Sequence, residues 1–253
     1  MRVSLLKKTV ASILLFIPLL IPLRSLAGII DFEVTASAET PTDNGIIHFN
    51  DDFIADGVAV RFGFDSNFDG ILDTKAVFEQ AGNKDAGKDT GFVGFAKGRD
   101  QAAPPFESLL GDFFLRQSEP YKPFGVFTIL YNANNPVTEA SGEIWDIDGK
   151  KNKTERFLVK AFNDTELLAI IESPLGIDST LNGKPWIFGF TGLSDITKIE
   201  ITFTGSKTQG IGLAFNNFSP VENISHAIHQ IPIPATVYLF MLGLMGIATR
   251  QLK

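Results

Sequence analysis

Apolar and polar positions alternate with a period of two through much of the middle of the chain. Ile199–Phe203 and Trp186–Phe190 show the pattern most clearly, because every second residue is apolar or aromatic. Further runs of β-branched and aromatic residues are bounded by turn residues and lie at Phe157–Phe162, Phe124–Leu130, Val58–Phe64 and Ile211–Phe215. About eleven such segments predict strands, and no segment sustains a helical period over three turns.

Turn signals separate these segments. Asn-Gly and Asp-Gly pairs, which favour the tight turns of β-hairpins, begin at Asn44, Asp56, Asp69, Asp148 and Asn182. The stretch Gln80–Pro105 contains Gly, Lys, Asp and Ala with few apolar residues, so it predicts a long loop.

Many short strands without helices are typical of two packed sheets. The aromatic residues are 23 Phe, two Trp and three Tyr. Phe suits the layer between two facing sheets, because it fills space there without needing a hydrogen-bond partner. We therefore predict an all-β, jelly-roll-like two-sheet sandwich.

Charge and composition narrow the chemistry. The chain has no cysteine, which excludes disulfides, a thiol nucleophile and a zinc-thiolate site. Residues 28–230 carry 16 basic against 29 acidic residues, a net charge of −13. Such a surface repels nucleic acid and suits calcium, or simply solubility outside the cell.

Residues 1–27 have the three parts of a secretory signal peptide. A basic segment that begins at Arg2 precedes the apolar run Val10–Leu23, and Ser25 and Ala27 are the small residues of a cleavage site. The alternative is an N-terminal membrane anchor. The two prolines of the apolar run and the small-x-small site favour cleavage after Ala27, and thus an exported protein.

Residues 231–253 form a second apolar segment. The run Thr236–Ala248 predicts a helix of roughly 21 Å, which is short for a hydrocarbon layer of about 30 Å. The basic residues Arg250 and Lys253 would stay in the cytoplasm. The sequence predicts that this helix holds the protein at the inner membrane transiently, and a permanent C-terminal tail anchor is the alternative.

Pro232, Pro234 and Ala235, followed by a glycine-containing apolar helix and a tail with Arg250, resemble the PEP-CTERM sorting signal. Ile233 stands where Glu is usual, so the segment is closest to the Val-Pro-Leu-Pro-Ala variant. The resemblance implies a Gram-negative host that makes extracellular polysaccharide. It also implies an exosortase-type processing enzyme as a partner, and the signal peptide predicts the export machinery as a second partner.

A calcium loop is the sharpest local motif. Oxygen-bearing side chains occupy positions 1, 3, 5 and 9 of an EF-hand-type loop, with Gly at position 6; they are Asp65, Asn67, Asp69 and Asp73. Position 12 is Ala76 instead of a bidentate carboxylate, so we expect weak binding. Glu79 could substitute only if the loop departs from that geometry. A polar turn between strands is the alternative.

The two ends of the body form a second candidate site. Asp31-Phe-Glu33 opens it and Phe215–Pro220 closes it. This resembles jelly-roll binding and adhesion domains that begin with a Phe-Glu strand and end with an Asp-Asn or Asp-Asp strand. The resemblance implies a structural calcium held between the paired ends, with Glu33 and Asn217 as ligands. Ordinary polarity at a strand edge is the alternative.

The segment Gly142–Gly149 deserves comparison with a glycosidase strand, in which two carboxylates share one face. Alternation places Glu143 on the face of Trp145 and Ile147, and Asp146 and Asp148 on the other. The required pair on one face is missing. We therefore predict no catalytic residues and no enzymatic activity.

Sugar stacking would require exposed aromatic rings. The candidates are Trp145, Trp186, Tyr121 and Tyr131. Tyr121 lies in a Pro-containing loop and is the ring expected to be exposed, whereas Trp186 lies in an alternating aromatic run and is expected in the core.

The predicted organisation is a signal peptide at 1–27, a β-sandwich at 28–222, a linker at 223–230 and a sorting segment at 231–253. The predicted function is a non-catalytic, exported protein of the cell surface, a structural or binding component of the extracellular polysaccharide matrix. The alternatives are a calcium-dependent carbohydrate-binding module and, less favoured, a secreted glycoside hydrolase.

Overall fold

The structure is a computed structural model that describes residues 28–83, 102–118, 125–132, 137–149, 152–177, 181–208 and 212–220. Within these ranges the elements, in chain order, are β1 (Phe53–Ala55), β2 (Val58–Asp65), β3 (Ala76–Gln80), α1 (Glu107–Leu110), β4 (Phe113–Gln117), β5 (Val126–Tyr131), β6 (Ala140–Ile147), β7 (Phe157–Asn163), β8 (Glu166–Glu172), β9 (Leu181–Phe190), β10 (Lys198–Phe203) and β11 (Ala214–Ser219).

The strands form two antiparallel sheets. One has six strands in the order β1-β2-β5-β10-β7-β8, and the other has five in the order β3-β4-β11-β6-β9. This confirms the prediction of an all-β protein with two sheets, as in a sandwich. Polar residues alternate with buried ones along β10, so one face of that strand packs inward and the other faces outward.

Phenylalanine fills the layer between the sheets. Phe62 and Phe127 come from the six-stranded sheet and Phe215 from the five-stranded one, and all three are fully buried. The ring centroids of Phe127 and Phe215 are 5.0 Å apart, and those of Phe62 and Phe215 are 6.2 Å apart. The high Phe content predicted such a layer, because rings at alternate strand positions interdigitate without polar atoms to satisfy.

The turn predictions had mixed outcomes. Asp56 and Gly57 have φ of 49° and 78° and connect β1 to β2, which confirms the hairpin. Asn182-Gly183 lies inside β9, so that turn prediction was wrong. The hairpin from β7 to β8 turns at Asp164, whose φ is 49°. It was missed because its Asp-Thr sequence lacks the glycine that signals such a turn.

A short segment covers the outer face of the five-stranded sheet. Residues 102–110, which include α1, bring Ala102 and Leu110 onto Phe114 and Trp145. All four are buried and form a second, smaller core. This sheet is therefore buried on both faces at its centre, which places polar groups such as Glu143 in a dry environment.

The two ends of the body meet. Ile30 and Phe218 exchange both backbone hydrogen bonds, at 2.8 and 2.9 Å, in an antiparallel bridge. The predicted signal peptide and sorting segment lie outside the described residues. None of the helices that the structure describes is both long enough and apolar enough to cross a membrane.

Candidate functional site

A row of side chains crosses the outer face of the six-stranded sheet. Register places Arg61 opposite Leu130, Leu130 opposite Lys198, and Lys198 opposite Phe162. On the edge strand β8, Leu167 is opposite Phe162 and 46% exposed. Neighbouring strands lie about 4.8 Å apart, so this cross-strand row is roughly 19 Å long.

A groove lies at the Arg61 end of the row. Its volume is about 390 Å³, within the size range of small-ligand sites. It is lined by three charged residues, Arg61, Asp164 and Lys198, together with Leu130, Tyr131, Asn132 and Thr197. The groove therefore offers donors from two cations and an amide, and acceptors from a carboxylate.

Ion pairs orient the two cations. Arg61 donates from Nε and Nη2 to both carboxylate oxygens of Asp52, at 2.6 and 3.2 Å. Arginine carries five N–H donors, so three remain, two on Nη1 and one on Nη2. Lys198 Nζ lies 2.7 Å from Glu200 and 4.6 Å from the centroid of the Phe162 ring. The ammonium is thus held above an aromatic face and beside a carboxylate.

This arrangement suits a polyhydroxylated ligand that carries negative charge. Arg and Lys bind carboxylates through charge-assisted hydrogen bonds. Asp164 can accept hydrogen bonds from hydroxyl groups, and the Asn132 amide can both donate to them and accept from them. Sequence analysis missed this site, because its residues come from four strands and three connecting segments that are far apart in the chain. Apart from the buried Tyr131, none of them stands out from the other residues of its strand or turn.

The predicted calcium loop is closed by its own hydrogen bonds. Asp65 accepts from the backbone N–H groups of Asp69 and Gly70, at 3.1 and 2.7 Å. Asp73 accepts from both the N–H and the hydroxyl of Ser66, each at 2.9 Å. These bonds hold the pKa of Asp73 below its usual value, with the Ser66 N–H as the largest cause.

Asn67 and Asp69 complete the same network. Asn67 Oδ1 accepts from the Asp69 N–H at 3.0 Å, and Asp69 Oδ1 accepts from the Ile71 N–H at 2.9 Å. Across the described ranges, no group of three or more acidic or histidine side chains is arranged to hold a metal ion. The observed geometry is that of a polar turn, and calcium binding here stays a prediction.

Glu33 and Asn217, the second predicted pair, hold one segment at two points. Glu33 Oε1 accepts from the N–H groups of Asp112 and Phe113, at 2.7 and 3.2 Å. Asn217 Nδ2 donates to the carbonyl of Leu109 at 2.7 Å. Asn217 therefore fastens the α1 region to the five-stranded sheet, and Glu33 fastens the N-terminal segment to the start of β4. The calcium that the resemblance implies between them stays a prediction.

Glu143 is buried and shares the outer face with Trp145, as predicted. Trp145 Nε1 donates to Glu143 Oε2 at 3.0 Å, and Asn217 Nδ2 donates to the same oxygen at 2.9 Å. Burial raises the pKa of Glu143 to about 7, and these two hydrogen bonds oppose the rise. Asp146 instead accepts from the Gly183 N–H at 2.8 Å.

The prediction that Ile147 shares the face of Glu143 was wrong. Ile147 belongs to the main core together with Ile144. The pairing of β6 with β9 shifts between Trp145 and Ile147, and Asp146 has a φ of 60°. A β-bulge of this kind adds a residue and inverts the alternation beyond it.

The aromatic candidates for sugar stacking are mostly enclosed. Trp145 is 1% exposed and Tyr131 is 7% exposed, and burial raises the pKa of Tyr131. Trp186 is half-buried and packs against Phe188, with ring centroids 6.1 Å apart. Tyr121 lies outside the described residues. The described surface thus has no platform of clustered rings.

No protein-family model matches the chain, and no curated protein matches its sequence.

Proposed function

We propose that this protein is an exported, non-catalytic component of an extracellular polysaccharide matrix, which it binds through the groove on its six-stranded sheet. The observation that carries this proposal is the groove of about 390 Å³ with Arg61, Asn132, Asp164 and Lys198 around it. Glycans are recognised by such combinations of donors and acceptors, because each sugar hydroxyl both donates and accepts.

The two cations of the groove, Arg61 and Lys198, can bind an acidic glycan. Arg61 and Lys198 lie two strands apart, so each can bind a different carboxylate of the ligand. An extended glycan chain could lie along the cross-strand row. In a body with a net charge of −13, Arg61 and Lys198 are the cations of the groove, and each is held beside a carboxylate, Asp52 and Glu200. A ligand carboxylate would bind the N–H donors that these two ion pairs leave unused. We propose carboxylated sugars such as uronates as the ligand class.

The absence of catalysis is part of the proposal. A glycosidase needs two carboxyl groups about 5 to 9 Å apart across the scissile bond. Glu143 is enclosed under Trp145 and the α1 segment, where its partners are an indole and an amide. Asp164 in the groove lies among Arg61, Lys198 and uncharged residues. These surroundings support binding over hydrolysis.

Export and sorting complete the proposal. The signal peptide is cleaved after Ala27, and an exosortase-type enzyme acts on the segment with Pro232, Pro234 and Ala235. The sandwich itself is proposed to be a jelly roll. Its support is that successive strands such as β9, β10 and β11 lie in alternate sheets.

A glycan array tests the proposed function. The protein, purified after export from a Gram-negative host, is applied to arrayed neutral and carboxylated glycans. We expect binding to uronate-containing glycans that declines as salt is added, because paired charges carry the contact. Absence of binding to every glycan would contradict the proposal, and release of shortened products would indicate a hydrolase.

A further inference from the structure

Gly28 directly follows the predicted cleavage site, and its backbone nitrogen lies 2.5 Å from Oδ2 of Asp56. Asp56 and Gly57 form the turn between β1 and β2, with φ of 49° and 78°. A carboxylate on a hairpin turn therefore meets the chain at the residue that becomes the N-terminus if cleavage occurs after Ala27.

The contact requires glycine at this position. A Cβ on Gly28 would lie 2.6 Å from the backbone nitrogen of Asp56 and 2.9 Å from Cβ of Ala55. Both distances are shorter than van der Waals contact, so any side chain would push the nitrogen away from the turn. Because Gly28 has no side chain, its backbone can approach that of Ala55 and Asp56 closely enough for its nitrogen to reach the Asp56 carboxylate.

We infer that cleavage after Ala27 creates an α-ammonium group on Gly28 that forms an ion pair with Asp56, so that the β1–β2 turn is the docking site of the mature N-terminus. The inference rests on the export step of the proposed function. Before cleavage the nitrogen belongs to a neutral peptide and offers one N–H. After cleavage it carries a full positive charge, and a charge-assisted hydrogen bond is stronger than a neutral one.

The chemistry of the step is peptide hydrolysis by a signal peptidase of the export machinery. Water supplies a hydroxyl to the carbonyl carbon of Ala27 and a hydrogen to the nitrogen of Gly28, and the C–N bond breaks. The new amine then takes up a proton at neutral pH, because an ordinary α-amino group has a pKa of about 7.7 to 8.0.

The other charged groups at this end of the molecule favour the ammonium. Asp31 and Asp52 line the cleft next to β1, and Asp52 is paired with Arg61. The local charge without the new N-terminus is therefore negative. The ion pair raises the pKa of the α-amino group in the folded state, so its contribution to stability is present below about pH 8 and is lost as the pH rises through the raised value.

The test measures the pKa of the α-amino group. The exported protein is first analysed by intact mass and N-terminal sequencing, which show whether Gly28 is residue one. Trace acetylation over neutral to alkaline pH, followed by peptide mapping, then gives the pKa of that amine. The variant Asp56→Asn removes the charge and retains a residue that tolerates positive φ. The matched control is Asp195→Asn, because Asp195 is exposed and has a φ of 44°.

We expect the pKa of the α-amino group to lie about half a unit above its ordinary value, roughly a threefold change in the protonated-to-neutral ratio. Asp56→Asn should remove this rise and Asp195→Asn should leave it. Gly28→Ala, which keeps a small residue after the cleavage site, should also remove it. Equal pKa values in the native protein and Asp56→Asn would overturn the ion pair even though processing is correct. A different N-terminal residue would overturn both the ion pair and the proposed cleavage. Glycan binding is measured in a separate experiment, so its failure would not affect this test.

Discussion

Asn217 on β11 donates one hydrogen bond to Glu143 on β6 at 2.9 Å and another to the carbonyl of Leu109 at 2.7 Å, both from its Nδ2. Its φ of 48° and the register shift between Asn216 and Ser219 mark a β-bulge. The bulge turns the Asn217 amide toward the segment that covers the sheet. A single side chain thus links the second core, a buried carboxyl group and the α1 region.

Glu143 should make stability depend on pH. Its pKa of about 7 in the folded protein lies above the unfolded value of 4.5, so the folded state binds more protons in that interval. Stability therefore falls as the pH rises from about 4.5 through about 7, by up to roughly 3 kcal/mol. Glu143→Gln cannot ionise at this position, so its free energy of unfolding should not fall in this way. The difference in free energy of unfolding, variant minus native protein, should therefore increase as the pH rises over this range. Denaturant unfolding near about pH 5 and about pH 8 checks this. Parallel pH profiles of the two proteins would contradict it.

Asn217→Ala should loosen the α1 segment. The variant leaves the Leu109 carbonyl without its amide donor and removes one partner of Glu143, a loss of about 1 to 3 kcal/mol. Hydrogen exchange within residues 107–110 should accelerate more than exchange in β10. Asn217→Gly is the matched control. It removes the same amide, but glycine adopts a positive φ without strain, so an effect shared by both variants comes from the lost hydrogen bonds. Unchanged exchange in both variants would show that the amide does not hold the segment.

Phe215→Ala should destabilise the sandwich strongly. Its ring contacts those of Phe127, Phe32 and Phe218 at centroid distances of 5.0 to 6.0 Å. The lost burial and the remaining cavity should cost about 3 to 5 kcal/mol. Phe68→Ala is the control, because Phe68 is 67% exposed and should change stability by less than about 0.5 kcal/mol. Similar midpoints of urea unfolding for the two variants would be inconsistent with a Phe layer between the sheets.

Calcium binding at Asp65, Asn67, Asp69 and Asp73 remains a prediction of the sequence motif. Calcium should raise the melting temperature of the exported protein modestly, and excess chelator should lower it. Asp69→Asn should remove this response, because it takes one charge from the loop. A melting temperature that is the same in calcium and in chelator would leave the hydrogen-bonded polar turn as the role of this motif.

Much of the fold was predictable because the alternation of residues is a local property. β10 and β9 were recognised from their period of two, and the Phe layer followed from composition. The pattern failed where a backbone irregularity intervened. The shift near Asp146 reverses the faces beyond it, and no residue type in that segment announces it. Alternation cannot reveal such a bulge, because a polar residue such as Asp146 fits the pattern both as a regular outward-facing position and as the extra residue of a bulge.

The candidate site was much less predictable than the fold. Arg61 and Lys198 are 137 positions apart in the chain and are brought together only by the order β2-β5-β10. Strand order depends on long-range pairing that a single sequence does not encode locally. Glu33 and Asn217 were singled out by the pairing of the chain ends, and that pairing is present, as the bridge between Ile30 and Phe218. Their contacts to the α1 region and the start of β4 were beyond local patterns.

The most direct test of the central claim is calorimetric titration of the exported protein with alginate oligosaccharides, which are polyuronates, and with dextran as the neutral comparison. The double variant Arg61→Gln/Lys198→Met removes both cations of the groove, and Lys153→Met is the matched control at an exposed position. We predict that the native protein and Lys153→Met bind alginate and not dextran, and that the double variant binds at least about tenfold more weakly. Equal alginate binding by the double variant and the native protein would contradict the assignment of this groove.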